Sequence, residues 1–128
     1  MAGQADRAVL VVAALLGASA VMLGAFGAHA LRSTLGPQQL GWWQTATQYQ
    51  LAHAVALLGI AVVPLHRARL AAWCMALGTI IFSGSLTLMA LGLPHWLGAV
   101  TPIGGVLLIA GWLVLGWCAL GRNGSEGR

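Results

Sequence analysis

Charge is the scarcest thing in this 128-residue sequence: six arginines, no lysine and two acids make up 6% of it. A water-soluble domain places charge at about a quarter of its positions, so water is not the main solvent of this chain. The two acids, Asp6 and Glu126, both lie near the termini, outside every apolar run. Their placement argues against catalysis by paired carboxylates and against proton-coupled transport through an acid inside a membrane. Ser83 and Ser85 have no G-x-S-x-G setting. No carboxylate is at hand to orient His53 as their base, so a serine nucleophile lacks its triad. The histidines show no pair at metal-ligand spacing such as H-x₃-H. No metal site and no cofactor is expected.

Hydrophobic residues are abundant, at 59% of the chain. A helix needs about 20 mostly apolar residues to cross the hydrocarbon core. Four stretches meet that need: Ala8–Leu31, Thr45–Val63, Arg69–Leu91 and Leu97–Leu120. They use most of the chain as one membrane domain, and the expected fold class is all-α: an integral membrane four-helix bundle. The first stretch starts like a secretory signal, but its apolar run continues well past Ala18-Ser19-Ala20 and is too long for a signal core. The last residues, 121–128, read as a flexible tail.

The net charge of +4 invites a nucleic-acid reading, which the placement of the arginines opposes. Nucleic-acid surfaces gather basic residues on one face; here they mark the ends of apolar segments. Arg7, Arg67, Arg69, Arg122 and Arg128 fall on one side of the membrane and Arg32 on the other. By the positive-inside rule both termini are cytoplasmic, in a bacterial inner membrane. The cytoplasm is reducing, so Cys74 and Cys118 are read as small packing residues.

Small residues recur at helical spacing. Ala20, Gly24 and Ala28 form a row in the first span. In the third, Ala72, Ala76, Thr79, Ser83 and Thr87 form one stripe, and Cys74, Gly78, Ser85 and Gly92 another. Small residues on two faces allow close approach of two neighbours, so the third helix is expected at the centre. Gly104 and Gly111 lie along one face of the fourth. Pro37 is suited to open the second helix, with Trp42 and Trp43 as interfacial anchors.

Polar side chains inside the spans gather toward the outer side. His29 and Arg32 end the first helix; Tyr49, Gln50 and His53 sit at i, i+1 and i+4 in the second. Ser83 and Ser85 lie in the outer half of the third, and Thr101 opens the fourth beside His95. These residues form a candidate ligand-binding cluster. The blander interpretation is interhelical hydrogen bonding. A sharper one is a metal held by His29, His53 and His95, whose three imidazoles suit zinc or copper.

Five blocks carry a family resemblance: Gly24-Ala25-Phe26-Gly27-Ala28-His29, Tyr49-Gln50 with His53, Phe82-Ser83-Gly84-Ser85-Leu86, Thr101-Pro102-Ile103-Gly104-Gly105, and Gly111-Trp112. In this order they resemble the domain-of-unknown-function 423 family, which is similar to transmembrane protein 256. The resemblance implies a four-helix inner-membrane protein without an established biochemical activity. Many relatives are expected to carry tyrosine where this chain has Thr87. Three readings of function follow. The first is a non-enzymatic protein acting by packing, whose partners are the lipid bilayer and either further copies of itself or other membrane proteins. The second is a binder of a lipid- or quinone-like amphipathic ligand. The third is a metal-dependent membrane enzyme.

Overall fold

The computed structural model describes residues 4–65 and 67–122 and is all-helical among them. Helix α1 spans Arg7–His29, α2 Pro37–Val62, α3 Ala68–Ala90 and α4 Thr101–Arg122, with a 3₁₀ turn at His95–Ala99 before α4. Three stretches are long and apolar enough to cross a membrane: Arg7–His29, Ala68–Ala90 and the near-continuous His95–Gly121. Residues 123–128, most of the expected tail, lie outside the described residues, as does His66.

Local chemistry sets the ends. Asp6 caps α1, its carboxylate accepting the Val9 amide at 3.2 Å, which satisfies a donor the first turn leaves free. Gly92, at φ +97°, ends α3. The amides of Gly92 and Leu93 return to the carbonyls of Met89 and Leu88, the paired bonds of a Schellman cap. Helix α2 begins at Pro37, eight residues before the apolar run that marked it in the sequence. Proline at the first helical position and the glutamines after it favour helix irrespective of hydropathy. At 26 residues α2 is about 39 Å long, long enough to cross but too polar in its first half to resemble the other three.

The helices pack in chain order. α1 lies along α2, α2 against α3, and α3 against α4, while no Cα pair of α1 and α4 comes within 8 Å. The four helices therefore do not close into a ring; the α2–α3 pair separates α1 from α4. Half of the α3 span is buried, against 17% for each outer span, so α3 is central and shares that place with α2. One core joins Val9 and Ala13 of α1, Leu57, Ile60 and Ala61 of α2, and Ala68, Ala72, Met75 and Ala76 of α3.

The closest approach is between α3 and α4. A Cβ on Gly78 would lie 2.9 Å from the Gly104 carbonyl oxygen, and a Cβ on Gly111 would meet Met75 and the Ala71 carbonyl. In α1 the small row is not the expected one. A side chain on Gly24 would meet nothing, whereas Gly27 seats the Trp43 indole and Gly17 faces Ala54 at 3.7 Å. The working face of α1 is Ala13, Gly17, Ala20 and Gly27, because α2 brings a tryptophan that needs a slot.

Candidate functional site

The polar side chains of the spans are distributed over three helix seams and do not meet in one pocket. On the α1–α2 seam, Trp43 donates its indole N–H to the Leu23 carbonyl at 2.8 Å, and only 3% of it is exposed. Two turns deeper, the Gln50 amide donates to the Leu16 carbonyl at 3.1 Å and to Ser19 Oγ at 2.6 Å. Ser19 gives its own proton to the Leu15 and Leu16 carbonyls, which leaves a lone pair for Gln50.

On the α2–α3 seam, Ser83 donates to the Ala46 carbonyl at 2.8 Å and is buried. On the α3–α4 seam, the Ser85 and Thr101 hydroxyls lie 2.6 Å apart; Ser85 also reaches the Phe82 carbonyl of its own helix, and Thr101 the Leu97 carbonyl of the preceding 3₁₀ turn. Thr79, which the sequence placed in a packing stripe, turns its hydroxyl back to the Met75 carbonyl at 2.7 Å.

His53 bridges the gap between α2 and α4. Its Nδ1 lies 2.8 Å from the Tyr49 carbonyl, and Trp112 Nε1 lies 3.0 Å from its Nε2. A carbonyl only accepts and an indole N–H only donates, so Nδ1 carries the proton and Nε2 offers its lone pair. Both ring nitrogens are satisfied within the chain. Tyr49 stacks on His53 at 6.1 Å between ring centroids and packs at a tilt against Phe82 at 4.6 Å, while Trp112 meets His53 edge-on at 5.9 Å. Four aromatic rings thus join α2, α3 and α4 near mid-helix. Trp112 was quoted in the sequence only as part of a family block. Its partnership with His53 spans 59 residues, and nothing in local spacing signals it.

His29 and Arg32 lie exposed at the end of α1, apart from the others. His95 is also exposed, its ring packed edge-on against Trp42 at 5.6 Å. His29, His53 and His95 do not converge, and among the described residues no three His, Cys, Asp or Glu side chains are placed to hold a metal. The sequence grouped the polar residues by depth, but Gln50, Ser83 and Ser85 face three different seams. At the opposite end, the Arg69 guanidinium meets Asp6 at 3.2 Å and lies over the Trp73 ring at 5.8 Å. Asp6, Val9, Ile60, Ala68 and Arg69 line a pocket of about 400 Å³ there. Cys74 and Cys118 are free and partly buried.

Comparison with known proteins places this arrangement in a family. The chain is 43% identical to the UPF0382 inner membrane protein YgdD of Escherichia coli K12 over 127 residues, covering 93% of this chain and 95% of that protein. It is 40% identical over 112 residues to a UPF0382 membrane protein of Staphylococcus saprophyticus, covering 85% and 93%. A Staphylococcus epidermidis homologue is 42% identical over 112 residues, covering 85% and 92%. No solved structure matches the chain. The family model described as protein of unknown function (DUF423) matches residues 23–105, the stretch from the Trp43 slot to the glycine contact of α4, and the chain belongs to that family.

Proposed function

We propose that this membrane protein acts without catalysis, through helix packing, as a homo-oligomer or as a small subunit of a larger membrane assembly. One observation carries the reading: among the described residues, no buried side-chain nitrogen or oxygen lacks a hydrogen-bond partner. A catalytic or transport site keeps polar groups in reserve for its substrate. Here Gln50, His53, Ser83, Ser85 and Thr101 are spent on holding helices together. Cross-linking in native membranes tests the reading. Species of higher mass containing the chain are expected; a monomer under every condition overturns it.

The charge pattern supports an orientation with both termini cytoplasmic. Arg7, Arg67 and Arg69 belong to the end of the molecule where Asp6 meets Arg69, and Arg32 belongs to the other. A fluorescent reporter fused after Arg128 is expected to fold and fluoresce, and a periplasm-dependent phosphatase fused there to stay inactive. The reverse pattern inverts the topology.

A second reading, a binder of a lipid- or quinone-like amphipathic molecule, has one observation in its favour. α2 and α4 have no Cα pair within 8 Å, and the half-exposed Tyr49 ring stands beside the His53–Trp112 bridge between them. Native mass spectrometry of gently released protein decides it. A reproducible adduct lost in Tyr49→Ala favours this reading, and its absence from all preparations removes it.

A further inference from the structure

The outward face of α2 carries a polar side chain at a depth where lipid offers it nothing. Trp43 bonds to the Leu23 carbonyl and sits on Gly27, so it already lies inside the outer end of α1. Gln48 lies five residues, about 7.5 Å, deeper. Gln50 supplies a second gauge, because it bonds to Leu16 and Ser19 on either side of the midpoint of α1, the 23-residue span. Gln48 is only two residues, about 3 Å of rise, from that level. It therefore stands close to mid-bilayer, and it is exposed. Its neighbours Thr47, Gln50 and His53 all bond within the chain; Gln48 forms no side-chain hydrogen bond among the described residues. A primary amide facing hydrocarbon without a partner costs several kcal/mol in the most apolar limit.

The residues around it are arranged for a helix to cover it. Gly41, Thr45, Gln48, Ala52, Val55 and Gly59 recur at alternating steps of four and three, which keeps them in one seam. All are exposed except Thr45, which is partly so. A Cβ on Gly41 or Gly59 would meet nothing within 4 Å, so the seam is vacant along its length. The interior face of α2, with Ala46, Gln50, Ala54, Leu57 and Ala61, lies on the other side of the helix.

We infer that α2 pairs through this seam with α2 of a second copy of the chain, the two Gln48 amides bonding reciprocally across a two-fold axis. This rests on the packing reading above and names its partner. The occupant follows from the chemistry of the amide, which is donor and acceptor together. Two identical amides on a two-fold axis satisfy each other, and the interface is then self-complementary. Small residues on either side let the backbones come close enough for those bonds to form.

Disulfide cross-linking in native membrane vesicles tests it, in a background with Cys74 and Cys118 replaced by serine. Ala52→Cys is expected to trap a species of twice the monomer mass under mild oxidation. Leu15→Cys on the outer face of α1 and Leu113→Cys on that of α4 are not. Gln48→Leu, added to Ala52→Cys, is expected to weaken dimerisation about eightfold, the loss of two membrane hydrogen bonds of average strength. Gln48→Asn keeps the amide and is expected to restore part of that loss. Trapping at Leu15 or Leu113 but not at Ala52 overturns this seam and leaves the packing reading standing. Trapping at Ala52 to a different protein overturns the second copy as occupant. No adduct from any position overturns both.

Discussion

Replacing Gly104 by alanine examines the tightest contact in the molecule. A Cβ there would lie 2.8 Å from Phe82 Cα and 2.9 Å from the Gly78 carbonyl oxygen, and against the Phe82 amide nitrogen as well. All three obstacles are backbone atoms, so no rotamer change relieves them. Ordinary contact begins near 3.4 Å, so α4 must back away by at least about 0.6 Å to clear Phe82 Cα at 2.8 Å, and further to clear the Phe82 nitrogen. Overpacking of this kind costs about 1–3 kcal/mol. The same displacement pulls on the Ser85–Thr101 and His53–Trp112 bonds, at 2.6 and 3.0 Å, each worth about 0.6 kcal/mol in a membrane. The expected loss is about 2–4 kcal/mol. Gly116→Ala is the control, since a Cβ there meets nothing within 4 Å and both variants share the alanine gain in helix propensity. Reversible unfolding by sodium dodecyl sulfate in mixed micelles, followed by tryptophan fluorescence, measures the difference. If Gly104→Ala falls within about 0.5 kcal/mol of the control, the backbone contact between α3 and α4 is not as close as described.

Further expectations use the same unfolding assay. His53→Leu removes the acceptor of Trp112 and should cost about 0.6–1.7 kcal/mol, and adding Trp112→Phe should recover part of it by removing the stranded donor. Gln50→Leu removes both bonds to α1 and should cost about 1 kcal/mol, leaving α1 more open to proteolysis than α3. Asp6→Ala loses the cap of α1 and should cost about 1 kcal/mol. Asp6→Asn keeps a capping oxygen and should be nearly neutral, because the Arg69 partner is largely exposed and such pairs contribute little.

The fold was largely legible in the sequence, because solvent dictates it. A chain with 6% charged residues and four apolar runs has few ways to satisfy its backbone in lipid. The two small-residue stripes of α3 point to its two neighbours, α2 through Ser83 and α4 through Gly78. Hydropathy did not reveal the true start of α2, since Gln38–Gln44 mixes three amides with Leu40 and two tryptophans yet is helical. The candidate site was legible only as a set of polar residues at similar depth. Depth is one coordinate, and azimuth decides the partner. Gln50 turns to α1, Tyr49 to Phe82 of α3, and His53 to Trp112 of α4. Azimuth depends on how the helices are arranged around α2, which no local pattern encodes. The slot that Gly27 provides for Trp43 is hidden for the same reason.

The seams of this protein use different means to hold, and the difference follows from having no hydrophobic drive between helices in lipid. The α3–α4 seam relies on proximity: Gly78, Gly104 and Gly111 bring backbones together and multiply weak dispersion contacts. The α1–α2 seam relies on Trp43 and Gln50, whose donors seek backbone carbonyls of Leu23 and Leu16. Those carbonyls lie in an intact helix, so the side-chain bonds they accept come at no loss of structure. A seam of close backbones fails when a single methyl is inserted. A seam of side-chain bonds fails only when its donors are removed, and it tolerates small shifts of the helix. α1 is therefore the element freer to adjust against the bundle, and α4 the one locked to it. An assembly formed along the outward face of α2 would leave the α3–α4 seam untouched, while α1 could re-seat itself around the new neighbour.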